Sequence, residues 1–281
     1  MKNKGIIPIN KPQGWTSFDV VNKLKYKLKP LKVGHLGTLD PMATGVLLIT
    51  IGKATKLFDI MQEKTKTYIA EFEFGYETDT LDATGEIITK NSYIPTEQEI
   101  LDVLPKFIGK ISQIPPKYSA KSVNGVRAYT LARNGMQFEL KPKEVEIYAI
   151  NMLEFNGISA KLEITCGSGT YIRSIGRDVA KELNTVATMT SLVRTKVGAI
   201  DLNKTVEIEN LGDLQESILP IKQILDFETL NLTIEEKYKI LNGQTLGIEK
   251  KDGIYLLEDD CDVIALIKIK ENKSKMSVFL G

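Results

Sequence analysis

The stretch His35-Leu-Gly-Thr-Leu-Asp40-Pro-Met-Ala-Thr-Gly45 places a histidine and an aspartate on a polar loop punctuated by glycine and proline. The loop runs straight into the apolar segment Val46–Ile51. A carboxylate on a tight loop at the edge of a buried strand is aimed by a rigid scaffold. Such a group serves as a nucleophile or as a base. The same residues also read as a turn whose aspartate caps its own backbone, and the loop alone does not choose between the two.

Other chemistries find little support. His35 is the only histidine, and no Gly-x-Ser-x-Gly elbow accompanies it, which disfavours a Ser-His-Asp hydrolase. Cys166 and Cys261 lie far apart and match no metal or redox spacing, so a zinc site lacks its usual ligands. The acidic turn Thr78–Gly85 carries Asp79 and Asp82 and suggests a cation site, but EF-hand spacing and its closing glutamate are missing. An aspartyl-phosphate enzyme is disfavoured because nothing assembles a Mg²⁺ site around Asp40.

Charge is segregated along the chain although the formal net charge is only +1. Eight lysines stand against one acid, Asp19, between Met1 and His35; six lysines and two arginines face three glutamates between Lys106 and Glu146. Basic segments on a near-neutral protein predict a local polyanion-binding face. The five arginines, Arg127, Arg133, Arg173, Arg177 and Arg194, all fall in the middle of the chain. There a bidentate fork for carboxylate or phosphate is expected. A 42% hydrophobic and 26% charged composition fits a soluble globular protein. With no apolar run of membrane-spanning length and no signal-peptide core, the expected location is cytoplasmic.

The elements that must position these residues follow from periodicity. Gly5–Asn10 reads as a strand. Thr16 or Ser17 caps a helix whose apolar face is Phe18, Val21, Leu24 and Leu28, ended by Pro30. Lys53–Met61 reads as a short helix. Lys66–Phe74 alternates, with Tyr68, Ala70, Phe72 and Phe74 on one face, as in a half-buried strand. Thr96-Glu-Gln-Glu99 is a capping box for a helix to about Phe107. Residues 111–143 are basic, rich in turn signals and poor in core. With Tyr118, Tyr129, Arg127 and Arg133 among the lysines, this segment fits an arm that closes over nucleic acid. Asn156-Gly157 predicts a hairpin between Val145–Phe155 and Ile158–Cys166. Gly167-Ser-Gly-Thr-Tyr171-Ile-Arg173 opens a helix buried through Ile172, Ile175 and Val179, and Met189–Val197, with Leu192, reads as extended. Val206–Ile218 reads as a connecting helix, Ile234–Leu241 as a second helix, and three short apolar runs near the C-terminus as a small β module.

Four of these patterns occur together and in order: Asn10-Lys11-Pro12 before Gly-Trp-Thr-Ser, the Gly34–Gly45 loop, Lys66-Thr-Tyr68, and Gly169-Thr-Tyr171-Ile-Arg173. Over roughly Gly5 to Ala199 the chain resembles the TruB family of tRNA pseudouridine synthases. Pro115-Pro-Lys-Tyr-Ser-Ala120 with Gly125, Tyr129, Arg133 and Gly135 is similar to the family's RNA-gripping thumb, and the tail is similar to its PUA-like module.

The resemblance implies an α+β fold with a mixed, largely antiparallel sheet and flanking helices. It implies a catalytic domain over residues 1–220, a thumb inserted at about 112–143, and a C-terminal PUA-like module over 221–281. It implies isomerisation of uridine to pseudouridine at position 55 in the TΨC arm of tRNA, by a monomer using neither cofactor nor metal. Asp40 becomes the nucleophile or base, Arg173 its ionic partner, and Tyr68 the ring that stacks on the extruded base. Leu192 walls the pocket, Tyr171 lines it, and His35 helps turn the nucleotide outward. Lys11 packs beneath the loop near RNA, and Arg133 contacts RNA from the thumb. Two other readings remain: a uridine isomerase acting at another RNA site, and an RNA-binding or tRNA-folding protein in which isomerisation is secondary.

Overall fold

The computed structural model describes residues 3–209, 211–212, 214–260 and 262–281. Lys2, counted in the basic N-terminal segment, and Cys261 lie outside them. The chain divides into two compact units, one made of Met1–Pro41, Gly45–Gln62 and Gly198–Gly281, the other of Met42–Thr44 and Glu63–Val197. Among the described residues, no helix is long and apolar enough to cross a membrane.

The first unit is built on a mixed sheet. Strand β1 (Gly5–Lys11) runs antiparallel to β3 (Thr44–Ile51), from Gly5 opposite Ile51 to Lys11 opposite Gly45. The short strand β2 (Val33–Leu36) also pairs antiparallel with β3, with His35 opposite Ile49. Val206–Glu207 pairs parallel with β1. Ile6, Ile7, Ile9, Leu47, Leu48, Ile49 and Ile51 are fully buried, as expected for strands whose residues are apolar on both faces.

Helix α1 (Ser17–Lys27) follows β1. Thr16 is its N-cap, and a capping box with Asp19 closes it. The buried residues are Ser17, Val20, Val21 and Leu24. Phe18, expected inside, lies 63% exposed, so the helix is rotated relative to the expected apolar stripe, with Val20 in its place.

The connection expected to be a helix over Val206–Ile218 is not one. It starts as a strand, and among its described residues only Leu214–Ser217 is helical. The open edge of β1 recruits Val206, and backbone pairing overrides local propensity.

The same unit holds a three-stranded antiparallel sheet of Gly253–Asp259, Asp262–Lys270 and Lys273–Phe279. Leu230, Ile240, Tyr255, Leu257, Ala265, Ile267 and Ile269 form its core. Lys4 ties the N-terminal segment to it by donating to the carbonyls of Val263 and Leu280, both at 2.9 Å.

The second unit carries an antiparallel sheet in the order Ala187–Val197, β4 (Lys66–Phe74), Ser159–Cys166, Lys143–Phe155, Gly109–Gln113. Tyr68, Ala70, Phe72 and Phe74 are buried on one face of β4, as alternation predicts. The helix Ile172–Glu182 packs on that face. A Cβ on Gly176 would stand 2.2 Å from the Phe72 ring, so only glycine admits this approach. Residues 111–143, expected to form an irregular arm, include the end of the strand Gly109–Gln113, a minimal hairpin at Ser122–Arg127 and the short helix Ala128–Arg133.

Candidate active site

Asp40 lies on the connection between β2 and β3, and the backbone on both sides of it is clamped. Before it, Leu39 is held through the Ser17 hydroxyl, which receives the Leu39 amide at 2.9 Å and donates to the Leu39 carbonyl at 3.2 Å. Ser17 therefore does not cap α1; that role falls to Thr16, which frees Ser17 to hold the loop. After it, the Pro41 carbonyl accepts from the Gly14 amide at 2.8 Å and from Lys11 Nζ at 3.2 Å. Lys11 also donates to the carbonyls of Pro12 (2.9 Å) and Trp15 (2.6 Å) and is 0% exposed. The loop turns at Gly37 and Gly45, whose φ values of +77° and +102° are costly for any side-chain-bearing residue. Leu39, Met42 and Ala43 are buried while Asp40 is half-buried. Expected on the loop itself, His35 instead sits on β2, in register with Ile49.

In the second unit, Arg173 stands in the first turn of its helix and is buried. Its guanidinium donates to the carbonyls of Thr80 (2.9 Å) and Tyr118 (3.1 Å) and lies 3.3 Å from the Asp82 carboxylate. Asp82 is itself buried and accepts from the Thr80 and Thr84 hydroxyls and from the Thr84 amide at 3.0 Å. Asp82, read from sequence as a cation-site candidate, is thus an anionic partner of Arg173. Among the described residues, no group of three or more His, Cys, Asp or Glu side chains could hold a metal ion.

Tyr171 begins the same helix and is gripped at two points by the buried Gln113. The Tyr171 amide donates to Gln113 Oε1 at 2.8 Å, and Gln113 Nε2 donates to the Tyr171 carbonyl at 3.2 Å. Ser174 Oγ and Arg177 both donate to the Ile114 carbonyl, at 3.0 and 2.9 Å. The segment entering the thumb is therefore fixed to the helix that carries Arg173.

Tyr68 is buried on β4, directly opposite Arg194, which is buried on the neighbouring strand. One step along, Leu192 is buried opposite Ala70. Burial, with Arg194 nearby, lowers the Lys66 pKa to about 8. Burial pushes the Cys166 thiol up to about 11, keeping it protonated. On the thumb, Arg133 is exposed, its guanidinium 5.8 Å from the centre of the Tyr129 ring. A cleft of about 890 Å³ lies between the 77–81 turn, the 114–118 segment and thumb residues 132–140. Arg177, rather than Arg173, lines it.

Residues 23–172, more than half of the chain, match the model of the TruB family pseudouridylate synthase N-terminal domain. The tRNA pseudouridine synthase B of Fusobacterium nucleatum is 40% identical over 280 residues, covering 96% of each chain. The chain belongs to the TruB family of pseudouridylate synthases. Its counterpart from Clostridium kluyveri is 40% identical over 273 residues, covering 96% of this chain and 93% of that one. The fold matches a Cbf5–Nop10–Gar1 complex with a TM-score of 0.75 at 22% identity, over 99% of this chain and 84% of that one. It is the mixed-sheet pseudouridine synthase fold, and the small C-terminal antiparallel sheet fits a PUA-like module. In this TruB-family chain the matched region spans His35, Asp40, Tyr68, Arg133 and Tyr171. Sequence reasoning passed over Gln113, and it took Asp82 for a cation-site candidate and Ser17 for a possible helix cap rather than for the groups that hold Arg173 and Leu39. Only the Thr80-x-Asp82-x-Thr84 spacing, which favours a local side-chain-bonded turn, gave a signal.

Proposed function

We propose that this enzyme isomerises uridine 55 in the TΨC arm of tRNA to pseudouridine, with Asp40 as the nucleophile or base. The observation that carries this reading is the double clamp on Leu39 and Pro41, which fixes the backbone around a half-buried carboxylate. Such preorganisation is what a reacting group needs. The isomerisation breaks the bond from N1 to C1′ and forms the bond from C5 to C1′. The C5 hydrogen leaves to water, so no oxidant or reductant enters.

In this reading Arg173 supplies the counter-charge for Asp40, and Tyr68 offers the ring against which the extruded base stacks. Leu192 keeps the pocket dry and Tyr171 lines it. His35 helps turn the nucleotide out, and Arg133 meets the RNA backbone from the thumb. The ammonium of Lys11 is engaged inside the first unit, so its part in RNA binding runs through the loop it holds. Residues 1–220 act as the catalytic domain with the thumb at about 112–143, and 221–281 as the PUA-like module, in a cytoplasmic monomer.

The test is tritium release from an unmodified tRNA transcript labelled at uridine C5, with pseudouridine mapping of the product. Asp40→Asn abolishes release, a loss of at least about 10³-fold, and leaves tRNA affinity within a few-fold. Wild-type turnover by this variant removes Asp40 from the chemistry. Modification mapped elsewhere in the RNA replaces the substrate assignment.

A further inference from the structure

Helix α1 carries a feature that the isomerisation does not use. Its inward face is complete: Val20, Val21, Leu24 and Leu28 are buried. Yet Phe18 is 63% and Tyr26 79% exposed. At 100° per residue, Phe18, Asn22, Lys25 and Tyr26 fall on one outward flank, and Lys29 follows just beyond the C-cap Leu28. Lys29 Nζ lies 5.5 Å from the Tyr26 ring centre, a cation over an aromatic face.

The charge around this flank is one-sided. Lys23, Lys25, Lys27, Lys29 and Lys32 are exposed, and Asp19 is the only acid between Ser17 and Lys32. The Asp19 carboxylate is occupied by the capping box, accepting the Thr16 amide at 2.8 Å and its hydroxyl at 2.6 Å. Among the described residues, no acid pairs with Lys23, Lys25 or Lys29. Single exposed aromatics are common on protein surfaces. Two rings on one flank, interleaved with unneutralised lysines, have the composition of a single-strand stacking platform.

The flank is also continuous with the Asp40 loop. Ser17 bonds both backbone groups of Leu39, so Phe18 begins where the loop is held, and the flank extends about 12 Å from there to Tyr26, where Lys29 adjoins it. An RNA whose target nucleotide sits at that loop has this flank as an adjacent rail. A membrane fits less well, because the apolar face that would enter a bilayer is already buried in protein.

We propose that the outer flank of α1, through Lys25, Tyr26 and Lys29 with Phe18 at its head, is a second RNA contact beyond the target nucleotide. The lysines meet phosphates, and the rings meet unpaired bases or riboses. The inference rests on the proposed RNA substrate, but its test reads binding without turnover. Reassignment of the modified uridine would therefore leave the result interpretable.

The experiment measures the affinity of a full-length tRNA transcript against salt for wild type and for Lys25→Gln/Tyr26→Ala/Lys29→Gln. Thermal melting checks that this exposed triple variant is folded. Kd rises about tenfold or more, in line with lost stacking. The slope of log K against log salt falls by about 1.5, for two phosphates. The single-turnover rate at saturating RNA stays at the wild-type value. Lys161→Gln/Lys239→Gln removes as much charge from lysines already paired with Glu154 and Glu235, and leaves Kd within twofold. Lys25→Arg/Lys29→Arg keeps the wild-type slope. Overturning results are a triple variant within twofold of wild type, an equal loss in the paired-lysine control, or loss of binding to phosphatidylserine vesicles with RNA affinity intact.

Discussion

The Asp40 loop and the Arg173 corner both hold a charged side chain, and they do it in opposite ways. At the loop the backbone on either side of Asp40 is gripped: Ser17 holds Leu39, while Lys11 and Gly14 hold Pro41. At the corner the side chain is itself the anchor, joining the 80–82 turn and the 118 carbonyl to its helix. Loss of Arg173 therefore removes an anchor that several neighbours share.

The largest structural effect is therefore placed at Arg173. Arg173→Met leaves Asp82 buried without this partner and costs about 3–5 kcal/mol, read as a lower denaturation midpoint at unchanged slope. Lysine does not substitute, because one ammonium cannot reproduce the guanidinium's fork. Adding Asp82→Leu to Arg173→Met recovers part of the loss, since the two changes are coupled through one ion pair. Equal stability of Arg173→Met and wild type would sink the contrast between the two regions.

Lys11 sharpens it. Lys11→Met keeps the length of the side chain but removes a donor to three carbonyls. The expected stability cost is about 1–3 kcal/mol. Turnover is expected to fall by up to about 10²-fold as the loop loosens, while the salt slope of RNA binding stays unchanged. A slope reduced by about 0.7–0.9 would instead make Lys11 a phosphate contact.

What the sequence could and could not reveal follows the same division. The alternation of β4, the Thr96–Glu99 capping box and the Asn156-Gly157 turn are local signals, and each element formed where expected. The turn that carries Asp40 was legible because its glycines and proline are closely spaced. The β2 strand was not, because Val33–Leu36 is short and exists through pairing with β3. The Arg173–Asp82 pair joins residues far apart in the chain, so neither could announce the other. The resemblance placed Lys11 beneath the loop near RNA; its full burial depends on three carbonyls that only the folded loop brings together.

The smallest effect expected is a pH dependence at Lys66, on the strand that carries Tyr68. Burial, helped by the nearby Arg194 charge, holds Lys66 at about 8 instead of its ordinary 10.5. Between those values the folded protein binds fewer protons than the unfolded chain, so stability rises with pH across this window. The penalty of burying the charged amine is fully present below about 8 and disappears above about 10.5. Lys66→Met lacks this dependence. Cys166, whose burial raises its thiol to about 11, pulls in the opposite direction in both proteins, and its coupling to Lys66 is a lesser cause than burial at either group. Melting temperatures compared from pH 7.5 to 9.5 should therefore show wild type gaining on Lys66→Met as pH rises. Parallel curves would mean that Lys66 keeps its proton in the fold and that the cationic side of the Tyr68 strand is better solvated than its burial implies.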